Sequence, residues 1–319
     1  EVSMKRWRWI IIAVSSPIIV FALFLTTRSQ TTSSTPPLRI GILGDSTVDE
    51  YRGSDNRGGD YSEGTYNWLE LLIMLRNFDA GKWDNWPEPR RTGYEYNWAR
   101  SAATARSLLE GQQHTGLAQQ VSEGLIDVVV VSVGVNDFAI FNNQYEMVYS
   151  GEIAGEALDQ RIQVIISDYT TAVDTILNAR AIPVIVSTIP DQSLTPSVMS
   201  DERFADPARR QIVSDAIRRV NEGIIQMANE RGLAYLDFDA MYLSLLPLIQ
   251  NGYTIEGANV SLFAKGDDPH NGVLSDGIHP GTVVEGIVAN KYLELINQKL
   301  NLNIPLLTDS EIARAAGLA

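Results

Sequence analysis

From Leu38 onward the chain alternates short, nearly continuous apolar runs with longer stretches in which apolar residues recur every three or four positions. Unbroken runs suit strands covered on both faces, and the longer stretches suit amphipathic helices. LRIGILG (38–44), YEYNWA (94–99), DVVVVSV (127–133), IPVIVST (182–188) and AYLDF (234–238) predict five strands. Helices are predicted near 65–77, 103–120, 156–180, 207–231 and 281–299. Each is long enough to cross between parallel neighbours. The pattern therefore predicts an α/β fold: a doubly wound (flavodoxin-like) three-layer sandwich around a five-stranded parallel sheet. Ligands in such sheets bind where the carboxyl ends of strands meet the following loops.

Three stretches break the alternation: 49–64, 78–93 and 239–275. Loops of this length are usually functional or disordered. The first two contain Tyr51, Tyr61, Trp83 and Trp86, with Trp98 just beyond. These rings either line a groove for sugar rings or acyl chains, or pack the loops onto the sheet. No internal repeat is present, and residues 301–319 read as a peripheral tail.

Ahead of the domain, the basic cluster MKRWR (4–8) precedes a 17-residue uncharged run from Trp9 to Leu25. That length lies between a secretory signal core and a spanning helix, so residues 1–25 read as an uncleaved signal anchor or a cleaved signal peptide; a buried core helix is the remaining alternative. The positive charge before the run places the N-terminus in the cytoplasm and the main domain outside it. Localisation is thus expected to be extracytoplasmic, membrane-anchored or secreted. Residues 26–37, TTRSQTTSSTPP, read as a polar linker. The main domain is expected to span 38–300.

Composition narrows the partners. With 319 residues, 45% of them hydrophobic and 20% charged, the chain can bury a sizeable core. Its formal charge is −14; residues 1–30 hold four basic residues and one acid, and the rest holds 21 basic against 38 acidic, a net −17. Nucleic acid is an unsuitable partner for such a surface. Cysteine is absent, which excludes disulfides, thiolate nucleophiles and cysteine-ligated zinc. His114, His270 and His279 lie far apart without an HExxH pairing, and Asp267 and Asp268 read as a solvated loop more readily than as a calcium site.

Three short motifs carry candidate chemistry. Gly44, Asp45 and Ser46 end the first strand, where backbone N–H groups face outward; Ser46 is either a nucleophile or part of a turn or helix cap. In SDGIHPG, Asp276 and His279 are three apart just before Pro280 and the last helix. That spacing lets the carboxylate hold one imidazole nitrogen while the other points away, as either an acid–base pair or a capping contact. In SVGVNDF, Gly134 and Asn136 follow the strand expected beside the first; the Asn136 amide either donates to an oxyanion or serves a glycine turn.

Taken together, these residues resemble the SGNH (GDSL-type) hydrolase family. Its four blocks appear in order: GDS at 44–46, NWARSAAT at 97–104, GVND at 134–137 and DGIH at 276–279. The resemblance implies a serine esterase in which Ser46 attacks an ester carbonyl, His279 carries the proton and Asp276 orients His279. It implies an oxyanion hole formed by the Ser46 N–H, the Ala102 N–H and the Asn136 side chain, with Asp45 and Gly134 in support. One block departs from the family: Ala102 stands where a glycine is usual, and the donor survives there provided the backbone needs no positive φ.

The expected function is an exported serine ester hydrolase acting on O-acyl groups, acetyl esters of a cell-envelope or extracellular carbohydrate foremost, with no cofactor and no metal. The alternatives are a polysaccharide O-acyltransferase, a lipid esterase, or a carbohydrate-binding protein with weak catalysis. The partners expected are a small acyl ester or acylated carbohydrate, no nucleic acid, and a membrane only through an uncleaved N-terminal segment.

Overall fold

The structure, a computed structural model, describes residues 36–319. The expectations for residues 1–25 and most of the linker fall outside that range. In chain order the elements are β1 (Leu38–Gly44), α1 (Trp68–Arg76), β2 (Phe78–Asp79), β3 (Trp83–Asn85), β4 (Thr92–Tyr94), α2 (Ala105–Glu110), α3 (Gln113–Ser122) and β5 (Val128–Ser132). They continue with α4 (Gln144–Ser150), α5 (Gly155–Ala179), β6 (Val184–Ser187), α6 (Pro196–Met199), α7 (Pro207–Glu230), β7 (Ala234–Leu236) and α8 (Phe238–Asn251). The last five are β8 (Tyr253–Ile255), β9 (Ala258–Lys265), β10 (Asn271–Val273), α9 (Thr282–Leu300) and α10 (Asp309–Ala315).

Five strands form one parallel sheet in the order β2–β1–β5–β6–β7. Successive side chains on a strand point to opposite faces. Val129 and Val131 of β5 pack with α2, α3, α5 and α7, whereas Val128 and Val130 pack with α1, α9 and α10. Helices thus cover both faces, which explains why β5 reads as an unbroken apolar run. The order of the five strands reverses direction between β1 and β5, and their carboxyl ends flank the crevice where ligands bind in such sheets.

Residues 94–99 do not form a regular strand. The sheet edge beside β1 is the two-residue β2, and the chain returns further along so that Tyr96 accepts from Ile42 N–H and Trp98 N–H donates to Ile42 O, both at 2.9 Å. Tyr94 itself belongs to an antiparallel hairpin of β3 and β4. The helix expected at 103–120 breaks at Gly111 and Gln112, the latter at φ 58°, into α2 and α3. Stretch 239–275 is not a loop: it holds α8 and the three-stranded sheet β10–β9–β8. Within 301–319, expected as a peripheral tail, α10 buries Ile312 and Ala313, and Arg76 donates to Glu311. Among the described residues no helix is long and apolar enough to cross a membrane.

Candidate active site

Ser46 sits one residue beyond Asp45 at the end of β1. Gly44 brings the two strands together: a Cβ there would collide with the Ser132 carbonyl oxygen of β5. The buried Asp45 carboxylate then joins the two strand ends. It accepts from Thr47 N–H at 3.0 Å, Thr47 Oγ1 at 2.8 Å, Gly134 N–H at 3.0 Å and Val135 N–H at 3.3 Å. Burial pushes Asp45 up to about 6, and these four donors act in the opposite direction.

The loop before α9 supplies the imidazole. Gly277 adopts φ 73°, and a Cβ on it would lie 2.9 Å from Ser197 N. Within this turn Asp276 Oδ1 accepts from the Ile278 and His279 N–H groups at 2.8 and 2.9 Å. Asp276 Oδ2 meets His279 Nδ1 at 2.7 Å, and His279 Nε2 meets Ser46 Oγ at 2.8 Å. Burial alone would raise the Asp276 carboxyl, but the hydrogen bond and charge of His279, with the two N–H donors, hold it well below the usual carboxylate range. Asp276, His279 and Ser46 therefore form one continuous chain of contacts, from segments over 200 positions apart.

Asn136 and Ala102 approach from a third and a fourth segment. Gly134, at φ 121°, turns the chain into a short 3-10 helix, and Asn136 Nδ2 donates to Ala103 O at 2.9 Å. Ala102 adopts φ 70°, the left-handed conformation that favours glycine. The proviso on its substitution is thus not met, because the backbone does require a positive φ; Ala102 nonetheless adopts it, so its N–H keeps its place at the cost of strain. Among the described residues no group accepts from the N–H of Ala102 or of Ser46. Ser46, Ala102, Asn136 and His279 all line one cavity of about 470 Å³.

The family profile described as GDSL-like Lipase/Acylhydrolase matches residues 42–283, which encloses all four of these positions. The chain belongs to this family. With it, the protein is a serine ester hydrolase. A search of curated proteins returns no match.

Solved structures align with this GDSL-like acylhydrolase at low identity. A gut microbial diltiazem-metabolizing enzyme aligns at a TM-score of 0.50 and 18% identity over 81% of this chain and 46% of that one. The chain thus spans under half the length of that enzyme. A lipase/acylhydrolase from Enterococcus faecalis aligns at 0.41 and 16% identity over 85% of this chain and 100% of its own. A carbohydrate esterase family 3 protein from Talaromyces cellulolyticus gives 0.43 and 16% identity over 83% and 100%.

The loop aromatics have other positions than the cleft of this acylhydrolase. Tyr51 is fully buried, Trp98 lies under Arg90, and Trp83 packs edge-on to Tyr94. Trp86 also lies against Arg90, and Tyr61 donates to Asp268 at 3.2 Å. None of the five lines the cavity; its rings come from Trp68, Phe141, Phe238 and Tyr292. His114 is half-buried on α3, and exposed His270 contacts Asp268 at 2.8 Å. Neither histidine lines the cavity. Among the described residues no group of His, Asp and Glu is arranged to hold a metal.

Sequence reasoning missed Arg57, whose Nη1 reaches Asp276 Oδ2 at 3.2 Å. It also missed Glu285, which is buried beside the site and accepts from Tyr51 OH at 2.8 Å and Trp68 N–H at 3.0 Å. Glu285 reads as one polar position on a helix. Arg57 lies in a polar loop without periodicity, so no spacing marks it.

Proposed function

We propose that this ester hydrolase acts outside the cytoplasm on O-acyl esters through a covalent acyl-enzyme on Ser46. His279 Nε2 takes the Ser46 proton as Oγ attacks the carbonyl carbon, then delivers it to the leaving alcohol. Water, deprotonated by the same nitrogen, releases the acid and restores Ser46. Asp276 keeps the other ring nitrogen oriented and stabilises the imidazolium while it lasts. The Ser46 and Ala102 N–H groups and the Asn136 amide stabilise the oxyanion, with Asp45 and Gly134 supporting the strand ends that present them. The 2.8 Å contact between His279 Nε2 and Ser46 Oγ carries this reading, because a serine hydroxyl is a poor nucleophile without an adjacent base. Export rests on the basic cluster ahead of the Trp9–Leu25 run.

Acetyl esters of carbohydrates are the first substrate class on this reading. The cavity walls favour a second: Val48, Trp68, Phe238, Ile278 and Val288 give them a largely apolar character suited to longer acyl chains, as on a lipid. Hydrolysis of acetyl, butyryl and octanoyl 4-nitrophenyl esters, with Ser46→Ala as the control, separates them. Fastest turnover of the acetyl ester favours the first class and fastest turnover of the octanoyl ester the second. Undiminished hydrolysis by Ser46→Ala contradicts both.

A further inference from the structure

Arg57 lies in the long connection between β1 and α1, and its guanidinium reaches two other loops at once. Nη1 donates to Asp276 Oδ2 at 3.2 Å and stands 3.0 Å from His279 Nδ1. Nη2 donates to Asp55 Oδ2 at 2.9 Å and lies 3.4 Å from Ser101 Oγ. Ser101 immediately precedes Ala102; its hydroxyl donates to Asp55, and its N–H donates to Asp49 Oδ2 at 2.7 Å. Arg91 closes this network by pairing with Asp49 at 2.6 Å and Asp55 at 2.9 Å. The Arg57 side chain is only 15% exposed, so its interactions are weakly screened.

We propose that Arg57 is a positioning residue, which fixes the Asp276–His279 pair relative to the Ala102 loop and holds a positive charge against the imidazole. The inference rests on the roles proposed for Ser46 and His279. His279 Nδ1 has a single hydrogen-bonding site, and the 2.7 Å contact with Asp276 occupies it. Arg57 Nη1 therefore adds no second hydrogen bond to the ring, and its contribution there is charge. A fixed cation opposes a second proton on the ring, whereas Asp276 favours one.

The remaining groups around the ring leave this balance intact. Tyr51, from the same connection as Arg57, meets the imidazole edge-on at 6.1 Å between ring centroids. Burial raises its phenol well above the ordinary value, so it is neutral. Glu285 of α9 holds the Tyr51 hydroxyl, and burial pushes this carboxyl up to about 8. Ser46 is uncharged, and Asp55 contacts Arg57 rather than the ring. Asp276 and Arg57 are thus the two full charges in direct contact with the imidazole.

The test compares pH profiles of kcat and kcat/KM for the wild type, Arg57→Gln and Arg57→Lys on a 4-nitrophenyl ester, with melting curves to verify folding. Arg57→Gln is expected to lower kcat about 10- to 100-fold, KM changing far less, because it loosens the alignment of base and oxyanion donors. It also moves the acid limb of kcat/KM upward, because the opposing cation is gone. Arg57→Lys retains the charge without the fork, so the limb stays near that of the wild type while kcat still falls. A folded Arg57→Gln or Arg57→Lys enzyme with wild-type kcat overturns the positioning role. An unmoved acid limb in folded Arg57→Gln overturns the charge role; should that variant not fold, an upward shift in Arg57→Lys does so. Ser46→Ala separates the two levels: if it is active, the proposed mechanism fails, and if it is inactive while the Arg57 variants match the wild type, only this inference fails.

Discussion

The two loops that flank Ser46 meet their backbone demands differently. In the loop carrying Asp276 and His279, the left-handed position is Gly277, and Asp276 Oδ1 satisfies two N–H groups of its own turn. In the loop carrying Ala102, an alanine occupies φ 70°. Seven non-glycine residues among those described have positive φ; four are asparagines, which tolerate it, and Ala102 alone of the seven lines the cavity. Holding an alanine there costs about 1–2 kcal/mol. Contacts from elsewhere hold the conformation: Asp49 accepts from Ser101 N–H, and Asn136 donates to Ala103 O. The acid–base side is thus specified largely by its own turn, whereas the oxyanion side depends on distant polar partners.

The sharpest way to break this comparison is to remove the acid–base side. His279→Ala is expected to lower kcat/KM by about 10³- to 10⁶-fold in steady-state ester hydrolysis, with little change in melting temperature. Asn136→Ala tests the other side: kcat should fall about 10²- to 10³-fold, and the Ala102 loop loses a tie as well as a donor. A near-wild-type rate for Asn136→Ala would remove that amide from the oxyanion site. Backbone strain can then be compared by denaturant titration. Gly277→Ala adds a left-handed alanine and a contact with Ser197, and should cost about 2–3 kcal/mol. Ala102→Gly relieves strain and should gain about 0.5–1 kcal/mol, the greater freedom of glycine in the unfolded chain offsetting part of the relief.

The remaining contrast is in pH dependence. Burial raises Glu285 from an ordinary value of 4.5 to about 8, so between these values the unfolded chain releases a proton that the folded chain keeps. Stability therefore falls as pH rises through that window. Glu285→Gln should flatten this part of the stability curve measured by denaturant titration. An unchanged slope would show that Glu285 is ionised within the fold.

Much of this architecture is legible in the sequence, for physical reasons that vary by element. The strands β1, β5 and β6 are covered on both faces, so their apolar runs, broken in β1 only by Arg39, stand out. Helices α5 and α7 carry long amphipathic repeats. By contrast, β2 is two residues long, and tertiary pairing beside β1 defines it rather than any pattern of its own. Helix α8 contains Pro247, a residue that ordinarily breaks a helix, and buries no residue completely, so its sequence does not announce a core-facing helix. At the site, Ser46, Asn136 and His279 each lie near a glycine or proline at the end of an element, where a motif has a place in the fold. Arg57 has no such marker, because the tertiary structure alone brings its loop to Asp276 and His279.

The central claim, that His279 activates Ser46 as a nucleophile, is tested most directly by labelling the purified protein with a fluorophosphonate and locating the adduct by peptide mass spectrometry. A single adduct is expected on Ser46, absent from Ser46→Ala and formed far more slowly in His279→Ala. Active protein that remains unlabelled at Ser46, or labelling at Ser46 that is equally fast without His279, would contradict it.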